Sequence, residues 1–258
     1  MVKTMELIIL GSGTCVPSIR RAGPSILLRA MGRSILIDSA SGTLRQLARL
    51  GIKYSKIDII FYTHLHPDHV GEFVPFVFAQ KYAPGYKREL PVKVIAAKGF
   101  LKFYEGLKQA FGAWVEPREG ALEIHELDID GNSSDIISPL ILKYTKARHT
   151  PQSLAYRIEL PTGKSVVFTG DTDFSPEIIE LAKGADLLVS ECAAPEEHKV
   201  EGHLIPSEAG EMAQQAGVRQ LLLTHFYPPC DKSDILGPAK KHFPGPIILA
   251  QDFLRVLI

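Results

Sequence analysis

Three histidines and one aspartate are crowded into six consecutive positions of the chain. The stretch reads His64-Leu-His66-Pro-Asp68-His69. His64 and His66 are two residues apart, so an extended backbone directs both side chains to the same side. Pro67 then turns the chain, and Asp68 and His69 face a second point nearby. Imidazole and carboxylate groups bind Zn, Fe and Mn in hydrolytic centres, so this spacing predicts two adjacent metal ions.

Polar residues at predicted strand ends supply the remaining ligands. His149, Asp171 and His225 each follow an apolar run that is typical of a β-strand. A catalytic centre with two ions needs about four ligands per ion, one position being left for solvent. The expected ligands form two sets with one shared residue: His64, His66 and His149 for one ion, Asp68, His69 and His225 for the other, and Asp171 as a bridge together with a hydroxide.

Short apolar strands alternate with amphipathic helices, and these elements must position the ligands. Strands are predicted over residues 7–10, 25–30, 34–38, 58–62, 92–96, 121–127, 136–147, 153–160, 165–169, 186–190, 221–224 and 247–250. Helices are predicted over residues 43–50, 72–82, 99–111, 175–183, 207–216 and 234–242, with Ser175 and Ser207 as N-caps. This order predicts an α/β fold in which two mixed sheets pack together between helices, a four-layer αββα sandwich.

The bulk composition limits the classes of protein to which the chain belongs. It has 258 residues, of which 45% are hydrophobic and 22% charged, which argues against a disordered chain, a collagen-like fibre or a coiled coil. The length suits one large domain or two small ones, and we expect a single domain over residues 1–258. The 29 basic and 29 acidic residues cancel, which argues against a nucleic-acid coating function driven by bulk positive charge.

Apolar runs and cysteines indicate the setting in which the chain works. The first apolar run, residues 7–10, is too short for a signal-peptide core or a membrane span, and we expect no membrane association. Cys15, Cys192 and Cys230 form neither a disulfide framework nor a CxxC metal motif. We therefore expect three buried free thiols and a reducing, cytoplasmic setting.

The ligand motifs, in their order along the chain, resemble those of the metallo-β-lactamase superfamily. The resemblance rests on His-Leu-His-Pro-Asp-His, His149, Gly170-Asp171-Thr172 and Leu223-Thr224-His225, and it covers nearly the whole chain. It includes the turn at residues 10–14 and Asp38 at the end of the third predicted strand. The resemblance implies an αββα fold with two divalent metal ions at one edge of the sheets. Zinc is the favoured ion, with manganese or iron as alternatives.

Within that superfamily, the chain is most similar to ribonuclease Z and related phosphodiesterases. Glu191 follows the strand after Gly-Asp-Thr, and His203 precedes a helix, as in that branch. The resemblance implies that a metal-bound hydroxide is the nucleophile and that His203, oriented by Glu191, is the general acid that protonates the leaving group. Asp68 is expected to handle the nucleophile's proton while remaining a ligand. A homodimer is also implied.

Two departures from ribonuclease Z argue against tRNA 3′-processing while leaving the hydrolytic centre intact. Ribonuclease Z usually carries a long flexible arm that grips tRNA, often just after the position of His149, but here residues 150–153 run directly into the next predicted strand. The family's Ser-Arg-Tyr-like stretch after the last histidine reads Phe226-Tyr227-Pro-Pro-Cys in this chain.

The favoured function is that of a phosphodiesterase acting on a nucleic-acid end, a cyclic nucleotide or another small phosphodiester. The same centre acting on a carboxylic ester, lactone, thioester or sulfate ester is the main alternative. A mononuclear iron oxygenase and an inactive binding relative are further alternatives, although the intact His69 and the Glu191–His203 pair favour two ions. Residues 81–108, rich in basic and aromatic side chains, are interpreted as a solvated face or, alternatively, as a surface that holds an anionic substrate.

Overall fold

Two β-sheets lie at the centre of the computed structural model, which describes residues 4–84, 90–129 and 136–258. The first sheet has the strand order β13-β1-β2-β3-β4-β5-β6, and the second has the order β12-β11-β10-β9-β8-β7. The first sheet consists of β1 (Met5–Gly11), β2 (Ser25–Ala30), β3 (Arg33–Ile37), β4 (Ile59–Phe61), β5 (Val92–Ala97), β6 (Leu122–Leu127) and β13 (Arg255–Leu257). The second consists of β7 (Ile141–Lys146), β8 (Leu154–Glu159), β9 (Ser165–Phe168), β10 (Leu187–Glu191), β11 (Leu221–Thr224) and β12 (Ile247–Leu249).

Helices cover the outer face of each sheet. They are α1 (Thr43–Arg49), α2 (Pro67–Val70), α3 (Phe73–Tyr82), α4 (Phe100–Phe111), α5 (Pro176–Ala182), α6 (Pro206–Ala216) and α7 (Leu236–His242), with 3₁₀ turns at Tyr54–Lys56, Gly112–Val115 and Pro228–Lys232. Buried residues of α1, α3 and α4 pack on the first sheet, and those of α5, α6 and α7 pack with the second. The predicted αββα sandwich is therefore confirmed. Within the described residues, none of the helices combines the length and the apolar character that crossing a membrane requires.

Strand β1 illustrates why the first sheet is buried on both faces. Leu7 and Ile9 lie in the core between the two sheets, whereas Ile8 and Leu10 pack with Leu47 of α1 under the helices. Successive side chains of a strand point to opposite faces, so the unbroken apolar run fills two cores at once.

Parallel pairing brings the carboxyl ends of several strands to one edge of the sandwich. Strands β3 to β6 are mutually parallel in the first sheet, and β9 to β12 are mutually parallel in the second. All the residues predicted to do chemistry lie in the segments after β4, β9, β10 and β11, in the loop between β7 and β8, or, for Glu191, at the last position of β10. Ligands of open α/β sheets bind outside the carboxyl ends of the strands, and the same rule applies here.

The carboxylate of Asp252 connects three separate segments of the chain through hydrogen bonds. Asp252, just before β13, accepts hydrogen bonds from the Ser12 amide (3.0 Å) and hydroxyl (2.8 Å), the Ala22 amide (2.8 Å) and Gln46 Nε2 (3.1 Å). It therefore joins the end of β1, the loop before β2 and helix α1.

Two predicted boundaries need correction. Helix α6 begins at Pro206, and Ser207 is not its N-cap. Ile205 holds the cap position, where its amide donates to Glu208 Oε2 at 3.2 Å. Proline is favoured at a first helical position because it has no N–H to satisfy there, and this preference moves the start by one residue. The strand predicted over residues 136–147 forms only as β7, because residues 136–139 make a turn.

Two further features were not expected. Strand β13 was not predicted, since only Val256 of its three residues is buried and so short a segment carries no alternating pattern. Cys192 and Cys230 are buried free thiols as predicted, but Cys15 is exposed, because it lies in the long loop that leaves the sheet after β1.

Replacing Asp252 with alanine is expected to lower the free energy of unfolding by about 2–3 kcal/mol, because four donors lose a charged acceptor. Urea denaturation monitored by circular dichroism measures the change. Glu180→Ala is the control, since the Glu180 side chain is 70% exposed and forms an ion pair with Lys183 three residues away. Equal stabilities of the two variants would contradict the role assigned to Asp252.

Candidate metal centre

All seven predicted ligands come together at the carboxyl edge of the sheets. Their ligand atoms form two groups in which every atom lies within 4.8 Å of the others: His64, His66, His149 and Asp171 in one, and Asp68, His69 and His225 in the other. Asp171, His203 and His225 form a third group of the same kind. The first two groups contain the two sets expected from the sequence, whereas metal binding itself stays a prediction.

Asp171 lies between the two groups. Its Oδ2 is 3.3 Å from His69 Nε2 and 3.8 Å from His64 Nε2, and its Oδ1 is 3.4 Å from His225 Nε2. Oδ2 is also 3.9 Å from His149 Nε2. A carboxylate in contact with histidines of both groups has the position expected of a bridging ligand.

A buried aspartate outside the ligand set fixes two of the histidine rings. Asp38 Oδ2 accepts a hydrogen bond from His69 Nδ1 at 2.9 Å and one from the Thr63 hydroxyl at 2.8 Å. Because the hydroxyl hydrogen is used there, Thr63 Oγ1 can only accept from His64 Nδ1, 3.1 Å away. Both rings therefore carry a proton on Nδ1 and direct Nε2 toward Asp171.

A backbone carbonyl fixes the orientation of the His149 ring. Nδ1 of this ring donates to the Gly202 carbonyl oxygen at 3.0 Å, so its Nε2 carries no proton. That Nε2 lies 3.1 Å from His66 Nδ1. The two nitrogens are thus close enough to be ligands of one ion.

Several nitrogens of the centre are buried without a hydrogen-bond partner. Among the described residues these include Nε2 of His64, Nε2 of His69 and both ring nitrogens of His225. An unsatisfied buried polar group is costly, and such groups are rare in folded proteins. A divalent cation would satisfy these atoms, and a donor set of imidazole and carboxylate suits zinc, manganese or iron. The residues therefore fit a metal centre.

The histidines of the centre differ in protonation. Burial acts to lower the pKa of His69, but the charges of Asp171 and Asp38 raise it well above its usual range, so a metal ion would have to displace a proton from this ring. Burial lowers the pKa of His64 and of His149, so both rings are neutral, as a metal ligand must be. Burial acts to raise the pKa of Asp171, but the charges of His225 and His69 hold it well below its usual range. Asp171 is therefore ionised.

Two residues with positive φ place side chains in the centre. Asp38 has φ of 57° and His225 has φ of 61°. For a residue with a Cβ, this left-handed conformation costs about 1–2 kcal/mol. Both lie directly after the strands β3 and β11, where the sharp bend directs their side chains into the centre.

Close packing at Gly170 requires a glycine. Its φ is 58°, and a Cβ at this position would lie 2.7 Å from the Cβ of Thr63. A larger residue would displace Thr63 and, through it, the ring of His64.

The two residues expected to provide acid catalysis are in contact beside the ligands. His203 Nδ1 donates to Glu191 Oε1 at 3.0 Å, and Glu191 also accepts from the amides of Thr172 (2.8 Å) and Ala193 (3.1 Å). The His203 ring stacks on His225 with centroids 5.7 Å apart and an interplanar angle of 15°. Burial alone would lower the pKa of His203, but the hydrogen bond and charge of Glu191 raise it above the usual value.

The basic segment at residues 81–108 is largely engaged with its own surroundings. Lys93 Nζ donates to the Ile136 carbonyl at 3.0 Å. Three other described lysines have local partners: Lys81 with the Ala113 carbonyl, Lys98 with Asp128, and Lys108 with Glu105. These contacts favour a solvated face. Residues 85–89 of the segment lie outside the described residues.

Sequence reasoning did not identify the residues that orient the ligands. Thr63 and the carbonyl of Gly202 had no predicted role, and Asp38 appeared only as part of a resemblance. Thr63 stands between a strand and the histidine cluster, which was the available signal. The sequence could not indicate the role of Gly202, because every residue type has a backbone carbonyl that can accept a hydrogen bond.

Comparison with known sequences identifies relatives over nearly the full length. The model of a family described as the Beta-lactamase superfamily domain matches residues 33–226. A protein named ribonuclease Z from Mycobacterium sp. (strain KMS) is 30% identical over 280 residues, covering 98% of this chain and 95% of the relative.

Solved structures have the same fold. The metallo-beta-lactamase fold protein YhfI from Bacillus subtilis superposes with a TM-score of 0.85 at 23% identity, covering 99% of this chain and 100% of its own. The short form of human tRNase Z gives a TM-score of 0.77 at 22% identity, covering 97% of this chain and 98% of its own.

Asp38→Asn is expected to weaken metal binding about 10- to 100-fold. Both carboxylate oxygens of Asp38 accept hydrogen bonds from Thr63 or His69, and in asparagine one of these two atoms becomes an NH2 group that cannot accept. Titration of the metal-free protein with zinc against a competing chelator measures the affinity. Asp186→Asn is the matched control, since Asp186 binds the Ser165 amide at the opposite end of the second sheet. Unchanged affinity in Asp38→Asn would show that the ligand tautomers do not depend on this carboxylate.

Proposed function

This chain belongs to the β-lactamase superfamily and to its ribonuclease Z-like branch, and from that membership we propose that it is a metal-dependent hydrolase that cleaves phosphodiesters. The observation that carries the proposal is the contact between His203 and Glu191 beside seven convergent ligands. A leaving alkoxide needs a proton, and this pair is placed to supply one.

The centre is proposed to bind two divalent ions, with zinc favoured over manganese or iron. His64, His66 and His149 would hold one ion, Asp68, His69 and His225 the other, and Asp171 would contact both. When bound, such ions act as Lewis acids on phosphoryl oxygens and lower the pKa of coordinated water toward neutrality. The support is the position of Asp171 and the buried nitrogens without partners.

The chain's own residues then provide proton transfer. His203 binds Glu191 through Nδ1, so Nε2 is the atom from which it would donate to the leaving oxygen. Glu191 is held by two backbone amides and thereby fixes the ring. Asp68 is proposed to take the proton of the attacking water through its carboxylate while remaining a ligand.

The proposed substrate is a small phosphodiester or a nucleic-acid end. Relatives named ribonuclease Z and tRNase Z indicate the nucleic-acid class by their names. In this chain, only residues 147–153 connect β7 to β8 and only residues 160–164 connect β8 to β9. Neither connection is long enough for an arm that grips tRNA, which supports a compact substrate.

The remaining expectations stay predictions. A homodimer was implied by the resemblance, and the exposed rings of Phe78, Tyr82 and Trp114 cluster on the outer helical layer. One domain over residues 1–258 is proposed because both sheets contribute ligands to one centre. A cytoplasmic setting is proposed from the three unpaired cysteines.

Zinc-loaded protein is expected to hold two ions per chain and to hydrolyse bis(4-nitrophenyl) phosphate. His69→Ala should lose the ion of the second group and reduce the rate by about 100-fold or more, since that variant removes a ligand. Metal analysis and initial rates measure both effects. His242→Ala, an exposed histidine at the end of α7, is the control.

Other results would redirect the proposal. Two bound ions without phosphodiester turnover would move the assignment to a carboxylic ester, lactone, thioester or sulfate ester. One bound iron would indicate the oxygenase alternative, and two ions with no hydrolysis of any ester would indicate a binding protein.

His203→Ala is expected to slow hydrolysis of a dinucleoside phosphate about 10²- to 10⁴-fold, because its alkoxide leaving group needs a proton. The loss for bis(4-nitrophenyl) phosphate should be much smaller, since nitrophenolate leaves without one. Metal content should not change. Equal losses on the two substrates would assign His203 to support of the centre and not to acid catalysis.

A further inference from the structure

The ring of Tyr227 packs against the imidazoles of His203 and His225. It lies edge-on to His203, with centroids 6.3 Å apart at 87°, and edge-on to His225, with centroids 6.3 Å apart at 83°. Because those two imidazoles stack on each other, one tyrosine ring contacts both the expected acid and an expected ligand.

The backbone around this tyrosine is held in place on both sides. The Tyr227 amide donates to the Ala193 carbonyl at 3.0 Å, and the Ala193 amide in turn donates to Glu191 at 3.1 Å. The preceding amide, that of Phe226, donates to the Ser12 carbonyl at 3.0 Å. The position of the ring is therefore tied to the same turn that holds Glu191.

The phenol hydroxyl has only a weak partner. It lies 3.7 Å from the sulfur of Cys15, and thiols are poor hydrogen-bonding groups. Within the stretches that the structure describes, it has no other hydrogen-bond partner. Cys15 lines a groove of about 430 Å³ whose wall ends at Asp68. The hydroxyl thus contacts a residue that lines the groove, and the ring that carries it contacts the two stacked imidazoles.

A phosphodiester bound at the centre would present charged, non-bridging oxygens beside this hydroxyl. A neutral donor on a ring held by packing and by its backbone loses little freedom when it forms a hydrogen bond. We propose that the Tyr227 hydroxyl donates a hydrogen bond to a non-bridging oxygen of the substrate's phosphorus. The inference rests on the proposed phosphodiesterase function and assigns a substrate-binding role to a segment that departs from the ribonuclease Z pattern.

Tyr227→Phe removes the hydroxyl and keeps the ring. In the zinc-loaded protein, KM for bis(4-nitrophenyl) phosphate should rise about tenfold while kcat changes by less than about twofold, because the oxygen is charged before and during the reaction. Dimethylphosphinate provides a second probe, since it carries one negative charge over two phosphorus-bound oxygens and has no ester bond. Its dissociation constant, measured by calorimetry, should also rise about tenfold.

Tyr82→Phe, which alters an exposed tyrosine of α3, is the matched control and should leave both values unchanged. Unaltered KM and phosphinate binding in Tyr227→Phe would overturn the inference. Loss of zinc or a lower melting temperature in that variant would overturn it as well, by assigning the hydroxyl to structural support. If the wild-type protein hydrolyses no phosphodiester, the proposed function fails, and phosphinate binding alone decides the role of Tyr227.

Discussion

The hydrogen bonds of Asp38 are the interaction on which the centre depends. Its carboxylate accepts hydrogen bonds from the Thr63 amide, the Thr63 hydroxyl and the His69 ring. The Thr63 hydroxyl oxygen in turn accepts a hydrogen bond from the ring of His64. One histidine from each ligand group, His64 and His69, is thereby held through a hydrogen bond at its Nδ1. Asp38 has a positive φ, which is unfavourable for a residue with a side chain. Such backbone strain persists where surrounding contacts hold it, and it is common at functional sites.

The two sheets have different parts in the same centre. The first sheet presents four neighbouring ligands from a single turn after β4, so their mutual positions are set locally. The second sheet contributes His149, Asp171 and His225 from three separate strand ends, and their positions depend on parallel pairing and on the packing of one sheet against the other. A bound ion would join the two sheets, and metal affinity and folding stability would then be linked.

The sequence was sufficient to predict which polar residues converge at one edge and how the layers are arranged, because both leave local patterns. Strands and helices are visible in the periodicity of apolar residues, and polar residues mark the strand ends. Residues 64–69 alone contain four of the seven expected ligands. Hydrogen-bond partners such as Thr63 and Gly202 are fixed by contacts between residues distant in the chain, so spacing alone did not identify them. The exposed position of Cys15 and the short strand β13 follow equally from tertiary packing and not from local preference.

The ligands of the centre are spread over a long stretch of chain, and this has a consequence for synthesis. As the chain leaves the ribosome, the crowded histidines of the first half emerge well before their partners in the second half. The group that includes Asp68 and His69 lacks its third member until His225 has been made. A nascent chain would thus display exposed imidazoles before the complete ligand set exists. The metal that it meets during translation would then bear on which metal the finished protein holds.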